Sequence, residues 1–344
     1  MAARKKRIAQ LTKCYCVAPF RDARGEHILV ASEKDYPCLM FDLAGNYEET
    51  LWETPGGVMS MAQAPGVTDC LLTTKKFYSP NDSKSAYIAS VFREDGIWKE
   101  HTLCALPHAH RFDIIKVGEV NYLFAATLLS RRDVKDDWSY PGKVYAGVIP
   151  KDPRKGAIEL EALHENLLKN HGYTSIVVGG QKTPVIASES GVFAYHPEKG
   201  AGRISWRVEM LASEPASEVR FIDFDGDGKD EMVVLTPFHG DTLLVYRQRC
   251  GRWERAFEYS EQLPFAHALC PLTVSGRNGA VVGHREGGMK LLFLYYKDGK
   301  YLTDLIDEGA GSANALAFDT GGEQILISAN RQTNEIALYS FDGQ

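Results

Sequence analysis

The sequence predicts an all-β fold: a single domain over residues 1–344 that forms a seven-bladed β-propeller of four-stranded blades. Three observations lead to this prediction. Short runs of alternating apolar and polar residues, broken by Gly, Asp, Asn and Pro, recur along the whole chain, as is typical of short strands. Their order repeats at intervals of 43 to 61 residues, close to the length of a propeller blade. The last repeat is one strand short, and the N-terminus carries a spare strand.

The clearest repeat lies at residues 218–259. A strand at 218–224 is followed by a tight turn, and further strands are predicted at 231–235, 242–247 and 253–259. The same order recurs in repeats whose first strands begin near residues 15, 58, 110, 171, 267 and 313. One segment departs from this pattern: residues 158–169 carry leucines at helical spacing and are predicted to form a short helix.

The two ends of the chain complete each other. The final repeat has strands at 314–319, 324–329 and 335–341, and the segment 7–12 is predicted to supply its outer strand. This pairing closes the ring and hides an open sheet edge. The alternative, a β-sandwich followed by a second all-β domain, explains neither the N-terminal strand nor the three-stranded final unit.

The composition limits which binding partners and which cellular compartment are expected. The formal net charge of −6 and the pI near 6.0 give no basic surface for a nucleic-acid backbone. No apolar run is long enough for a secretory signal or a membrane span. The seven cysteines are an odd number and lie mostly in apolar strands, which predicts free thiols in a reducing compartment. We therefore expect a cytoplasmic protein that binds neither nucleic acid nor membrane; its oligomeric state is not predicted.

The histidines sort to one face of the predicted ring. In a propeller the first strand of each blade lines the axis, and the loops into first strands share a face with the loops between second and third strands. Six of the ten histidines fall on this face. His110, His171 and His267 each open a first strand, so they are predicted to bind a central divalent transition metal such as Zn or Mn.

Other side chains on this face are candidates for catalysis. His239 and His284 end the second strands of adjacent blades, one layer farther out, and are predicted to act as acid or base. Arg131 and Arg285 suit an anionic group such as a carboxylate, and Tyr140 offers a phenolic proton donor. The alternative for any one histidine is that it only caps a local turn.

The acidic loop at residues 223–231 is the most specific local motif of the chain. Its alternating carboxylates and glycines resemble the calcium loop of FG-GAP and VCBS propeller repeats, through Asp223, Asp225, Asp227 and Glu231. The resemblance implies a structural Ca²⁺ site, and an ion-free turn is the open alternative. Because the loop joins a first to a second strand, it is predicted on the face opposite the histidines.

The layout as a whole resembles metal-centred seven-bladed propellers that act on carbohydrates, both uronate lyases and keto-sugar dehydratases. This resemblance implies β-elimination or dehydration of a sugar or a uronate-containing saccharide, with the metal as Lewis acid. The alternative is a non-catalytic propeller that binds a glycan or a protein on the same face. Hydrolysis by paired carboxylates is a third, weaker alternative, because Glu189, Glu218 and Asp241 show no pairing in the sequence.

Overall fold

Strands and turns make up the chain in its computed structural model, which describes residues 2–200 and 204–341. Over these residues there are 28 strands and no α-helix. The strands form seven separate four-stranded antiparallel sheets. This arrangement confirms the all-β, seven-bladed propeller of four-stranded blades.

The first four blades follow the chain. Blade 1 contains β2 (Cys14–Asp22), β3 (Gly25–Ser32), β4 (Cys38–Asp42) and β5 (Tyr47–Trp52). Blade 2 contains β6 (Met61–Gln63), β7 (Cys70–Lys75), β8 (Tyr87–Glu94) and β9 (Ile97–Ala105). Blade 3 contains β10 (Ala109–Val117), β11 (Val120–Thr127), β12 (Gly142–Val148) and β13 (Glu161–Leu167). Blade 4 contains β14 (Gly172–Val178), β15 (Gln181–Ser188), β16 (Gly191–Lys199) and β17 (Ile204–Ala212).

The last three blades complete the ring. Blade 5 contains β18 (Glu218–Ile222), β19 (Glu231–Thr236), β20 (Thr242–Arg249) and β21 (Arg252–Glu258). Blade 6 contains β22 (Ala266–Val274), β23 (Arg277–His284), β24 (Leu291–Lys297) and β25 (Lys300–Asp307). Blade 7 contains β26 (Asn314–Asp319), β27 (Gln324–Asn330), β28 (Glu335–Phe341) and, as its outer strand, β1 (Ala3–Gln10).

The two termini pair as predicted. Strand β1 runs antiparallel to β28, with Ala3 opposite Phe341 and Arg7 opposite Ala337. The strand begins and ends a few residues earlier than the predicted segment 7–12. Closure by the N-terminal strand is confirmed.

The helix predicted at residues 158–169 is wrong. These residues supply β13, which pairs with β12 as the outer strand of blade 3. Two register shifts interrupt this pairing, between Gly142 and Val144 and between Val144 and Tyr145. Bulges break the two-residue alternation of a strand, so the apolar residues on its buried side recur at spacings that mimic a helix.

The apolar core lies between the blades. Among the described residues the buried apolar side chains form seven clusters, one for each pair of neighbouring blades. The first strand of each blade also contacts the first strands of its two neighbours, so these seven strands form a closed ring around the axis. All seven cysteines are free thiols. Within the described part of the chain no helix is long and apolar enough to cross a membrane.

Candidate functional site

Three histidines occupy equivalent positions where the chain enters a first strand. His110 is the second residue of β10, His267 is the second residue of β22, and His171 directly precedes β14. All three side chains are at most 2% exposed. The ring of first strands therefore places three buried imidazoles at the axis.

The backbone of the next blade orients each of these rings. The Nδ1 atom lies 3.2 Å from the carbonyl oxygen of His171 in His110, 3.0 Å from that of Ser217 in His171, and 2.5 Å from that of Ala313 in His267. A carbonyl oxygen only accepts hydrogen bonds, so Nδ1 must carry the proton and donate it. The lone pair of each imidazole is then on Nε2, the atom that can bind a ligand.

A fourth histidine joins the group from a loop. His239 lies between β19 and β20 with a positive φ of 52°, and its ring stacks between Phe238 at 3.8 Å and Phe265 at 4.2 Å between centroids. His171, His239 and His267 each offer one nitrogen, and these nitrogens all lie within 4.8 Å of one another. The sequence assigned His239 to a layer farther out, but the loop turns inward and brings it into this triad. His110 lies beside the triad, 4.5 Å from His171 between ring centroids.

Burial favours the neutral form of His110, His239 and His267. It lowers the pKa of His110 and His267 well below the usual value, and the nearby Arg111 and Arg285, respectively, lower them further. The pKa of His239 falls to about 2, because of burial first and then because of His171 and Arg285. Neutral imidazole is the form that binds metal ions, so these side chains suit a transition metal.

A buried ion pair between Glu218 and Arg111 lies next to His171. The Oε1 atom of Glu218 lies 3.3 Å from Nδ1 of His171 and 2.8 Å from Nη2 of Arg111. Burial raises the pKa of the Glu218 carboxyl, but Arg111 and His171 outweigh it and bring the pKa to about 2. Arg111 also donates to the carbonyl oxygens of His171 and Met59. A carboxylate behind a ligating histidine is a common partner in metal sites.

Tyr15 is a site residue that the sequence did not single out. Its hydroxyl lies 3.4 Å from Nε2 of His267, and its side chain is 3% exposed. Burial raises its pKa, and the charge of Arg111 opposes that effect. An aromatic residue near the start of an apolar strand looks like core in a sequence, so only the ring geometry identifies it. We call His110, His171, His239, His267 and Tyr15 the axial site.

A cavity of 220 Å³ opens beside the axial site, and we call it the axial cavity. The axial residues line it together with apolar side chains such as Met59 and Phe265. Four charged side chains also line it: Glu33, Lys34, Arg285 and Arg331. Of the candidates for catalysis, the structure therefore brings His239 and Arg285 to the cavity.

Three other candidates lie elsewhere. Arg131 is exposed and pairs with Asp133 at 2.9 Å, and the hydroxyl of Tyr140 donates to the same carboxylate at 3.4 Å. His284 is buried, and its Nε2 accepts a hydrogen bond from the backbone N–H of Lys290 at 2.9 Å. None of the three lines the axial cavity. Local partners hold them, which the order of residues along a loop does not reveal.

The acidic loop lies in the turn between β18 and β19, apart from the axial site. Asp223, Asp225 and Asp227 bring carboxylate oxygens within 4.8 Å of one another. The Asp223 carboxylate accepts hydrogen bonds from the backbone N–H groups of Gly226, Asp227 and Gly228. Arg247 forms ion pairs with Asp225 at 2.8 Å and with Glu231 at 2.9 Å. The positive charge of Arg247 therefore already lies among the predicted calcium ligands.

Comparisons with known proteins support the fold. No family model matches this sequence, and no curated protein matches it. Among solved structures 450 chains match. One of them, described as "Structure of Dos1 propeller", aligns with a TM-score of 0.55 and 8% identity, over 92% of this chain and 76% of that one. At this identity the likeness shows a shared β-propeller fold and nothing about activity.

Proposed function

We propose that the protein is a metal-dependent carbon–oxygen lyase, which performs β-elimination or dehydration on a sugar or a uronate-containing saccharide at the axial site. One observation carries the proposal: imidazole nitrogens of His171, His239 and His267 converge within 4.8 Å beside a cavity. Catalytic metal sites have three protein ligands and an open position. A histidine cluster that only stabilised the fold would have no need of a cavity.

The donor set fits a divalent transition metal. Three imidazoles suit Zn better than Ca²⁺ or Mg²⁺, which prefer oxygen ligands. The rings of His171 and His267 are fixed by backbone carbonyls, and that of His239 by two phenylalanines. Rings held in place before binding lose little freedom when a ligand arrives.

The proposed reaction balances without an oxidant or reductant. A proton leaves the carbon next to a carboxylate or carbonyl group, and its bonding electrons form a C=C bond as the neighbouring C–O bond breaks. The departing oxygen keeps the C–O electrons and takes up a proton. A divalent metal supplies positive charge against the negative charge that builds up on the carboxylate or carbonyl oxygen. His110 and Tyr15 flank the triad, and we assign the two proton transfers to them.

Metal content and elimination activity test the proposal together. We expect about one transition metal ion per wild-type chain by mass spectrometry of metals, and loss of it in His239→Ala and His267→Ala. His108→Asn is the matched control: His108 is also buried near this face, but it bonds Ser83, and asparagine tolerates its positive φ of 61°. This control should keep the metal.

Activity is followed by the ultraviolet absorbance of the new conjugated double bond, with uronate oligosaccharides and 3-keto-glycosides as substrates. Wild type should form product, and chelation, Tyr15→Phe and the two triad variants should abolish it. A metal-free wild-type protein that binds saccharide without converting it would show instead a non-catalytic binding propeller.

A further inference from the structure

Arg285 is a buried cation with no counter-charge. Its side chain lies just after β23 and is 8% exposed. Its Nε has no hydrogen-bond partner, and its one polar contact among the described residues is a long one, from Nη2 to Oε1 of Gln332 at 3.4 Å. No carboxylate in that part of the chain forms an ion pair with it. The guanidinium lies over the ring of Phe265, 4.3 Å from its centroid, at the wall of the axial cavity.

The side chains that line the axial cavity carry more positive than negative charge. Glu33 is the one carboxylate among the lining residues, against Lys34, Arg285 and Arg331. Arg331 already forms an ion pair with Glu33. Burial first, and then the charge of Arg331, lower the pKa of Arg285 to about 10, although Glu33 opposes them. A buried charge without a partner destabilises the fold, so this arrangement favours binding of a compensating group.

We propose that Arg285 binds the anionic group, a carboxylate or a phosphate, of a small ligand that occupies the axial cavity. The terminal nitrogens of the guanidinium offer the paired donors that such groups accept. The inference rests on the proposed function only in taking the remainder of the ligand to be a saccharide. A bound metal adds positive charge beside Arg285 and increases the need for an anion.

The size of the cavity limits the ligand. At 220 Å³ it is smaller than the roughly 300–1,000 Å³ of pockets for drug-sized molecules. The cavity therefore accommodates a single sugar ring or a compound of that size, and a longer saccharide extends outside it.

Binding of small anions tests the proposal. Glucuronate, galacturonate, glucose 6-phosphate and inorganic phosphate are titrated into the purified protein at matched ionic strength by calorimetry, with glucose as the neutral counterpart. At least one of the anions should bind wild type, and glucose should bind roughly tenfold more weakly or not at all. Arg285→Met should weaken binding of that anion by roughly tenfold or more. If only the uronates bind, the natural ligand carries a carboxylate. If only glucose 6-phosphate and inorganic phosphate bind, it carries a phosphate.

Arg132→Met is the matched control, because Arg132 is also buried over an aromatic ring, that of Trp138, but has a carboxylate partner in Asp136. This variant should bind the anion as wild type does. Thermal melting separates function from structure: Arg285→Met should melt no lower than wild type, since it removes an uncompensated buried charge.

Two results would overturn the anion site: no anion binds wild type better than Arg285→Met, or Arg285→Met melts markedly lower than wild type. Metal content, measured on the same samples, distinguishes this failure from that of the proposed function. If the protein contains metal but binds no anion, only the proposed anion site is refuted. If it binds an anion through Arg285 but contains no metal, only the proposed lyase function is refuted.

Discussion

A shared hydrogen bond sets the chemistry of the axial histidines. In His110, His171 and His267 the Nδ1 atom donates to a backbone carbonyl of the next blade. The orientation and the tautomer of each ring therefore follow from the packing of neighbouring blades, and no dedicated side chain is needed. In most metal sites side chains or carbonyls fix the ligands in this way. Here a correct ring of blades already presents the nitrogens.

His171 is the exception, because it also has a carboxylate behind it. Glu218→Gln keeps the size of the side chain but removes the charge next to Nδ1 of His171. We expect the affinity for Zn²⁺, measured by competition with a chelator, to fall about 10- to 100-fold. Glu218 is thus a positioning residue that acts through His171.

Stability must be separated from metal affinity in this experiment. Glu218→Gln leaves Arg111 buried without a counter-charge, which should cost about 3–5 kcal/mol of unfolding free energy. The double variant Arg111→Met, Glu218→Gln removes both charges and should recover much of that stability. If its Zn²⁺ affinity recovers as well, Glu218 has only a structural role.

At the scale of the element, strands were predictable where their signals are local. Alternation and turn residues located all seven first strands, because the side chains of a strand alternate between its two faces with a period of two residues. The bulged strand β13 loses that period, and so it resembled a helix.

The same limit applies to the residues of the axial site. The positions of His110, His171 and His267 follow from where strands start, whereas the inward turn of His239 depends on a loop with φ of 52°. Tyr15 and the unpaired state of Arg285 depend on contacts between blades, which no local pattern encodes.

The turn between β18 and β19 allows a prediction about calcium. Arg247, from β20, pairs with two of the four predicted ligands, so a bound Ca²⁺ has to displace it. We expect the melting temperature of wild type to be the same in Ca²⁺ and in chelator. Arg247→Ser should melt lower in chelator, because its carboxylates lose their counter-charge, and Ca²⁺ should restore it.

Arg255→Ser is the control for this turn, because Arg255 is an exposed arginine of the same blade that pairs with Glu258. It should melt as wild type does in both conditions. A wild-type protein that Ca²⁺ stabilises as strongly as it does Arg247→Ser would show a calcium site at this turn.

At the scale of the whole molecule, the ring depends on the contact between blades 7 and 1, where it closes. The cluster between blades 7 and 1 includes Cys14, Ile28, Ile327 and Ile336, all fully buried. The short link from β1 to β2 joins the same two blades covalently, since β1 belongs to blade 7 and β2 to blade 1. Arg331, next to β27 of blade 7, also forms an ion pair with Glu33, next to β3 of blade 1. Packing, charge and the covalent chain thus close the ring at one place, and the axial histidines of blades 3 to 6 depend on that closure for their spacing.

Moving the N-terminal strand tests which of these contributions matters. In one variant residues 2–10 are deleted, and in another the same residues follow Gln344 through a short linker, so that β28 and β1 form a hairpin. The deletion leaves the edge of β28 unpaired and should melt lowest and aggregate. The relocated strand restores the pairing of blade 7 but not the covalent link to blade 1, so it should melt between the deletion and wild type, because the ends of the ring lose a constraint. If the deletion melts as wild type does, packing between blades closes the ring without β1; if the relocated form matches wild type, the covalent link contributes nothing.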